Sequence, residues 1–540
     1  MTGAEVIIKC LEQENVTRVF GYPGATIAPF YDALYFGSNI KHVLVRHEAA
    51  AGHAASGYSR VSGSVGVCAV TSGPGATNLI TAIATAYMDS IPLIAITGQV
   101  RSDMLGRDVF QEADITGATE PFTKYSYLVK SANDLPRIFK EAFKIASTGR
   151  PGPVLIDIPV DVQQEEFEQE FKYPEKADIP GYKPRILGHT NQISRAVGAL
   201  DSAKAPLICV GGGVISAGAG KELLKLMEKH SIPAVSTLMG VGAVPYDHPL
   251  YLGMLGSHGR AAANKAVKDA DLLIICGARI GDRTLAKSHQ TNTTAKVIHI
   301  DVDPAEIGKN MRADIPIVGD IKSVLTSLNE KYTGKNHSEW AKLCVKPSPI
   351  TLKRQPGTVE PCSFIRRLCE KCDEKAIIVA DVGQNQIWTA NSFSVKNGRF
   401  LTSGGMGTMG YSIPAAIGAK LAKPKRQVIS ICGDGAFQMQ IGELASAVGS
   451  GAEIKIVILS NTRLGMIREL QDSSFGGHRC AIELGEIPDI SLIAKAYGIA
   501  SFDLHNDGDA DDIIDKFLVQ KGVCLLNCHV SPDLASVPEE

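Results

Sequence analysis

The sequence predicts an α/β protein built from three doubly wound parallel-sheet domains. Three features predict it. Short apolar, β-branched runs alternate with amphipathic stretches along the 540 residues, the pattern of strands buried on both faces between covering helices. Glycine-rich loops recur where those runs end, as they do where parallel strands turn towards a ligand edge. Two charged, proline-containing stretches lack steady periodicity: QQEEFEQEFKYPEKADIPGYKPR from Gln163 and GKNHSEWAKLCVKPSPITLKRQPGTVEP from Gly334. They read as linkers. The expected domains are residues 1–165, 186–333 and 360–530.

The first block opens on TGAEVIIKCLEQENV, an amphipathic helix carrying Glu5, Glu12 and Glu14. It lacks the apolar core of a signal peptide and the Arg-rich, acid-poor character of a transit peptide, so the expected setting is the cytoplasm. Strands in this block include VTRVFGY, HVLVRH, GVCAVTS, LIAITG and PVLIDIP. Glu48 sits just past a strand end and opens an Ala/Gly-rich helix. Taken alone, a glutamate there is a favourable charge–dipole placement. The loops Gly21-Tyr22-Pro23-Gly24-Ala25 and Ser72-Gly73-Pro74-Gly75-Ala76-Thr77-Asn78 follow other strands, and their backbone demands can be purely structural.

In the middle block APLICVGGG, PAVSTL, DLLIICGA and KVIHIDV read as strands. Gly211-Gly212-Gly213 resembles a dinucleotide loop, a weak signal by itself. Arg279 and Arg283 follow a second strand, suited to a phosphate or to ordinary surface pairing. Asp301 and Asp303 end a third, where an acid can meet a ribose hydroxyl. The last block offers AIIVADVG, RFLTSG, QVISICGD, KIVILSN and VCLLNCHV. The first and third blocks share one rhythm, which suggests a duplicated domain around a different middle one.

The sharpest signal is Gly433-Asp434-Gly435, followed after one crossover by Ser460-Asn461-Thr462. A right-handed strand–helix–strand unit brings both strand ends to one edge of the sheet. A carboxylate and an amide oxygen then meet beside a helix start with unpaired N–H groups. An oxygen-ligated divalent cation beside a phosphate is the simplest use of those parts. Gln384, Asn385 and the loop SGGMGTMG arrive at the same edge.

Composition narrows the partners. A formal net charge of -2 gives no sign of nucleic acid or an anionic membrane. No apolar run reaches the about 20 residues needed to span a bilayer. The 12 cysteines are scattered, several inside apolar strands, which favours a reducing compartment. Cys369-Glu-Lys-Cys372 has no companion pair and reads as incidental.

Together these residues resemble the thiamine diphosphate-dependent enzymes, and within them most closely the catalytic subunits of the acetolactate (acetohydroxyacid) synthase group. The likeness runs in order through GYPGATIAPFYDAL, RHEAAAGHAASGYSR, TSGPGATN, GRDVFQE, RPGPVLIDIP, LGMLGSHG, GARIGDRT, IDVDPAEIGKN, DVGQNQIW, GTMGYSIPAAIGA, GDGAFQMQ and GMIRELQ.

The resemblance implies a pyrimidine-binding domain, a central FAD-type domain and a diphosphate-binding domain. It implies decarboxylating condensation of two pyruvates to 2-acetolactate and CO2 on thiamine diphosphate. Asp434, Asn461 and the carbonyl of Arg463 would bind Mg2+; Gln384 and Asn385 would contact the diphosphate. Gly407, Met409, Gly433, Gly435 and Ala436 would complete that half, with Met409 holding the cofactor bent. Tyr22, Pro23, Thr71, Pro74 and Asn78 would line the pocket around Glu48, the proton-transfer residue. Gln111 and Met466 would lie near the reacting groups. FAD, mainly structural, would be held by Arg150, Gly212, Arg279, Asp301 and Asp320. The cofactor would lie between two chains of a homodimer or homotetramer, with a small regulatory subunit as a further partner.

Four positions depart from the family pattern. Val160 stands where a lysine is usual and Leu470 where a tryptophan associated with acceptor preference is usual. Ser460 replaces the first Asn of a pair, and Ala25 replaces a glycine. A flavin-dependent pyruvate oxidase, and a decarboxylase or acyltransferase on another 2-oxo acid, share this domain order.

Overall fold

A computed structural model describes residues 1–284, 294–353, 355–486 and 488–538. Arg354, within the second expected linker, lies outside them. Among the described residues every paired strand is parallel, and the strands form three six-stranded sheets.

The first sheet contains β1 (Arg18–Tyr22), β2 (Lys41–Leu44), β3 (Gly66–Val70), β4 (Leu93–Gln99), β5 (Tyr125–Leu128) and β6 (Pro153–Pro159), in the order β2-β1-β3-β4-β6-β5. The second contains β7 (Pro206–Val210), β8 (Ala234–Ser236), β9 (Tyr251–Met254), β10 (Leu272–Cys276), β11 (Lys296–Asp301) and β12 (Ile315–Val318), in the order β12-β11-β10-β7-β8-β9. The third contains β13 (Ile377–Ala380), β14 (Arg399–Leu401), β15 (Val428–Gly433), β16 (Lys455–Ser460), β17 (Ala500–Leu504) and β18 (Cys524–His529), in the order β14-β13-β15-β16-β18-β17.

Counted within each domain, the first and third sheets have the same order, 2-1-3-4-6-5, and the middle one has 3-2-1-4-5-6 read from its other edge. The shared order is what a duplicated domain leaves behind. The middle order is that of dinucleotide-binding sheets. Reversal of strand order opens a crevice at the carboxyl ends of β1 and β3, of β7 and β10, and of β13 and β15.

Fourteen strands match the runs read from sequence. The other four, β5, β9, β12 and β17, all lie at sheet edges. β5 and β17 mix polar with apolar residues, and β9 and β12 are runs of four residues interrupted by Gly253 and Pro316, so their signal is short. The helix expected between Asp434 and Asn461 is two, Asp434–Met439 and Glu443–Ser450. The second linker contains a short helix, Ser338–Leu343. The first linker lies against the first domain: Phe167 is buried, and the Tyr173 hydroxyl donates to Glu14 Oε1 at 2.9 Å. Cys369 and Cys372 are free thiols in the third domain's core.

The first and third domains join through helices Glu48–Ser62 and Ser412–Ala422. Both are rich in alanine and glycine where they cross, with Ala51, Ala54, Ala55, Ala415 and Ala416 fully buried or nearly so. A Cβ on Gly57 would overlap the Ala415 carbonyl, and one on Gly418 would overlap that of Ala54. The backbones therefore approach as closely as glycine allows. Arg60 closes the contact, its Nη1 donating to the Thr402 carbonyl at 2.7 Å. Adding one methyl at either glycine forces the helices apart. Gly57→Ala and Gly418→Ala should each destabilise by about 1–3 kcal/mol, seen as a lowered Tm; an unchanged Tm contradicts this packing.

Candidate active site

Two half-sites lie at the strand-order reversals of the first and third sheets. In the first, Glu48 begins helix Glu48–Ser62, with His47 as N-cap accepting the Ala49 N–H on Nδ1 at 3.2 Å. Asn78 donates from Nδ2 to Glu48 Oε2 at 3.0 Å. Asn78 stands on helix Pro74–Met88, whose first residue, Pro74, has no N–H to leave unpaired. Beneath them Thr71 Oγ1 lies 2.9 Å from Thr26 Oγ1, which accepts the Ser72 N–H. A Cβ on Gly75 would come within 3.5 Å of Glu48 Oε1, so the absent side chain keeps that carboxylate open. Gln111 has φ +60° and packs over Gly73. Tyr22, Pro23, Pro74 and Asn78 are all exposed in the single chain.

In the second half-site, Asp434 starts the helix after β15 and is 2% exposed. Its Oδ2 accepts the N–H groups of Asn461 at 3.1 Å and Thr462 at 2.6 Å, and its Oδ1 accepts that of Gly435 at 2.9 Å. Burial pushes its pKa up, and these N–H bonds pull against it. Among the described residues no lysine, arginine or histidine pairs with it. A buried carboxylate without a cation partner, beside Asn461 Oδ1, is an all-oxygen donor set suited to a hard divalent cation. Thr462, at φ +59°, turns the chain so that Arg463 N–H reaches Asn461 Oδ1 at 3.0 Å. The Arg463 guanidinium points away, to Glu483 and Asp533. Met409 reaches over Gly435, whose added Cβ would lie 3.5 Å from the methionine Cε. Ala436 is buried in the same helix, Gly433 precedes it, and Gly407 turns at φ +70°. Met466 is partly buried in helix Gly465–Ser474.

The amides of Gln384 and Asn385 are engaged with the protein. Gln384 donates to Glu469 and to the Leu534 carbonyl, and accepts from Asn461 Nδ2 at 3.2 Å. Asn385 donates to the Asp381 carbonyl at 2.7 Å. Asp381, absent from the sequence reading, organises this half-site. Its buried carboxylate accepts from Val382, Gly410 and Ser412 N–H, tying β13 to the turn that carries Met409. Burial pushes its pKa up.

Of the residues expected at FAD, Gly212 and Arg279 follow β7 and β10 and Asp301 ends β11, at the carboxyl ends of the middle sheet; Asp320 follows the edge strand β12, and Arg150 comes from the first domain. Gly212 begins helix Gly212–Ser216, directly after β7. Gly213 packs on Gly277, leaving no room for a Cβ at either. Asp301 ends β11 and accepts the Asp303 N–H at 2.9 Å; burial raises its pKa to about 6. Asp320 caps helix Ile321–Lys331 through the Ser323 N–H. Arg150 pairs with Glu306 at 2.9 Å. Glycine-lined backbone, two arginines and a strand-end acid are parts that suit a dinucleotide.

Helix Pro74–Met88 links all of this. Its last turn receives Arg150 on the Tyr87 carbonyl and Arg279 on the Met88 carbonyl. Asp89, its C-cap, accepts the N–H groups of Gly404 at 3.2 Å and Gly405 at 2.7 Å. Thr85 Oγ1 lies 2.7 Å from Thr408 Oγ1. Three domains thus converge on one helix end, and its other end holds Glu48 through Asn78.

Family models match the chain in three consecutive pieces: the thiamine pyrophosphate enzyme N-terminal TPP binding domain over residues 1–118, the central domain over 193–328, and the C-terminal TPP binding domain over 381–528. A probable acetolactate synthase large subunit of Methanocaldococcus jannaschii is 46% identical over 98% of this chain and 92% of its own. The chain belongs to the acetolactate synthase family of thiamine pyrophosphate enzymes. An acetolactate synthase of Mycobacterium leprae (46% identical, 96% of this chain and 85% of its own) and an acetolactate synthase large subunit of Corynebacterium glutamicum (46%, 92% and 82%) are similar to it over comparable spans. The two half-sites therefore lie within the two matched thiamine pyrophosphate-binding domains of an acetolactate synthase family member. Among the described residues no helix is long and apolar enough to cross a membrane.

Removing the Asp89 carboxylate should free the loop that carries Thr408 and Met409. Asp89→Ala should speed amide exchange across residues 403–409 and leave β13 and β15 protected. Unchanged exchange there contradicts the clamp.

Proposed function

We propose that the protein condenses two pyruvates into 2-acetolactate with loss of CO2, using thiamine diphosphate and Mg2+. The observation that carries this reading is the retention of both half-sites, Glu48–Asn78 and Asp434–Asn461, in a chain similar end to end to acetolactate synthases. The domain bounds we propose are 1–165, 186–333 and 360–530; each encloses one complete sheet.

Thiamine diphosphate supplies the electron sink that lets a 2-oxo acid lose CO2 and leave a carbon nucleophile. The chain supplies position and proton transfer. Asp434, Asn461 Oδ1 and the Arg463 carbonyl would hold Mg2+, which would supply positive charge for an anionic diphosphate. The start of helix Asp434–Met439 at Ala436 would face it, with Gly433 and Gly435 giving close approach, the Gly435 N–H being held by Asp434 Oδ1. Gln384 and Asn385 shape that pocket, and diphosphate contact requires Gln384 to release Glu469. Met409 and Gly407 support the cofactor's middle. Glu48 holds a proton for exchange with the aminopyrimidine ring and is kept in place by Asn78. Tyr22, Pro23, Thr71 and Pro74 line its surroundings, and Gln111 and Met466 border the substrate. Leu470 stands where the family's tryptophan is associated with preference for 2-oxobutyrate, and a second pyruvate is the acceptor proposed.

Glu48 and Asp434 come together across two chains in this reading. The hydrogen bonds of Glu48 stay within the first domain and those of Asp434 within the third. Each half-site is ringed by exposed apolar side chains: Tyr22 and Phe110 at the first, Met406, Met439, Ile467 and Leu470 at the second. Such clustered exposure marks a surface covered by a partner. A homodimer is the minimal active unit, and a homotetramer repeats it. The relatives named as large subunits support a small regulatory partner. FAD in the middle crevice is proposed on Arg150, Gly212, Arg279, Asp301 and Asp320. Twelve free cysteines suit a cytoplasmic setting.

Purified protein given thiamine diphosphate, Mg2+ and pyruvate should release 2-acetolactate. Acetaldehyde or acetyl phosphate as the main product contradicts the proposal. Glu48→Gln should keep cofactor affinity and lower kcat by about 100-fold or more; near-normal turnover removes Glu48 from its role. Asp434→Ala should weaken Mg2+-dependent cofactor binding in a titration, and unchanged affinity rejects the metal site.

A further inference from the structure

Strands β17 and β18 run parallel, with Asp503 opposite Asn527 and Leu504 opposite Cys528. Side chains alternate faces along a strand. Asp503 and His505 therefore share a face with Asn527 and His529, at the carboxyl edge of the third sheet. Their donor atoms converge. His529 Nε2 lies 2.7 Å from Asp503 Oδ1, and His505 Nε2 lies 4.0 Å from the same oxygen. The two imidazoles stack with centroids 4.1 Å apart and planes 13° from parallel. One ligand atom from each of the three residues lies within 4.8 Å of the others.

The surroundings orient this cluster. Ser460 Oγ donates to Asn527 Oδ1 at 2.6 Å, which turns the Asn527 amide so that Nδ2 faces Asp503 Oδ1 at 3.1 Å and His529 Nε2 at 3.1 Å. Among the described residues the ion-pair partners of Asp503 are these two imidazoles, with no lysine or arginine. The face is open to solvent: the side chains are 51%, 64% and 36% exposed for Asp503, His505 and His529.

We propose that Asp503, His505 and His529 form a binding site for a late first-row divalent cation such as Zn2+. Two imidazoles and one carboxylate select such ions over Mg2+, which takes oxygen ligands. The site is thus chemically distinct from the all-oxygen set at Asp434. Bonds of about 2.0–2.1 Å at tetrahedral angles bring ligand atoms to about 3.3 Å from one another. Asp503 and His529, at 2.7 Å, lie inside that separation and part slightly to admit the ion. His505, exposed and one residue past β17, closes the remaining gap by tilting out of the stack. The ion takes the place of the proton between His529 and Asp503, and Asn527 still donates to the carboxylate from the outer shell. Water completes the coordination. The bound ion clips β17, an edge strand, to β18, and Ser460, the residue before Asn461, connects the clip to the end of β16.

Co2+ is the probe that tests this. Full-length protein is stripped with chelator, held in excess Mg2+ and titrated with Co2+ while visible and near-ultraviolet absorption are recorded. One equivalent per chain should bind, with ligand-field bands and no sulfur-to-cobalt charge transfer. His529→Ala should weaken binding at least about tenfold, and His505→Ala with His529→Ala should abolish it. Asp503→Asn, which keeps the side-chain shape, should also weaken it, so a folding defect in the alanine variants cannot mimic the result. Absence of saturable binding, thiolate charge transfer, or unchanged affinity in the double variant overturns the proposal.

Discussion

The carboxyl-terminal turn of helix Pro74–Met88 is the point on which the three domains agree. Asp89 takes two N–H groups from the third domain, and the Tyr87 and Met88 carbonyls take Arg150 and Arg279. A carboxylate there opposes the helix dipole, and burial pushes its pKa up; Arg60, two glycine N–H groups and Arg279 pull the other way. The site is tolerable only while those partners are in place, so the carboxylate acts as a lock on the relative placement of the domains. The same helix begins beside Glu48. Displacing the lock therefore disturbs both the loop that carries Met409 and the support of the proposed proton-transfer group.

The repeated strand order explains why the chemistry is split. Two copies of one sheet type each open a crevice at the strand-order reversal. One crevice holds Glu48 against Asn78, and the other holds the buried Asp434 beside Asn461. Within one chain the close helix contact around Gly57 and Gly418 fixes the two copies to each other, while the hydrogen bonds of Glu48 and of Asp434 each stay within their own domain. The exposed apolar side chains beside each crevice are the surface that the proposed second, symmetry-related chain would cover.

Much of this was legible in the sequence. Strands such as VISIC and KIVILS are apolar on both faces because the sheet covers both, and that run survives any local ambiguity. Strands β5, β9, β12 and β17 escaped, although the edge strands β2 and β14 did not. YSYL and ASFDL mix polar with apolar residues, and Pro316 within IPIV disguises β12, since proline is tolerated only where a ladder ends. Glu48, Asp434 and Asn461 stood out because their motifs are local. Asp89, Asp381 and Glu443 did not. Their partners are backbone N–H groups far along the chain, Gly405 for Asp89 and Arg46 for Glu443, and no local spacing announces such a bond. Gln384 and Asn385 were found by their position, but not the engagement of their amides with Glu469, Leu534 and Asp381.

The central claim is that Glu48 of one chain works with Asp434 of another, and mixing two inactive variants tests it most directly. Glu48→Gln and Asp434→Ala chains are unfolded together, reassembled and assayed for acetolactate. In a mixed dimer one site inherits both substitutions and the other inherits neither. Statistical reassembly should then restore about a quarter of the wild-type activity per chain. Activity no higher than the sum of the two separate variants, in a sample shown to contain mixed dimers, would contradict a shared site.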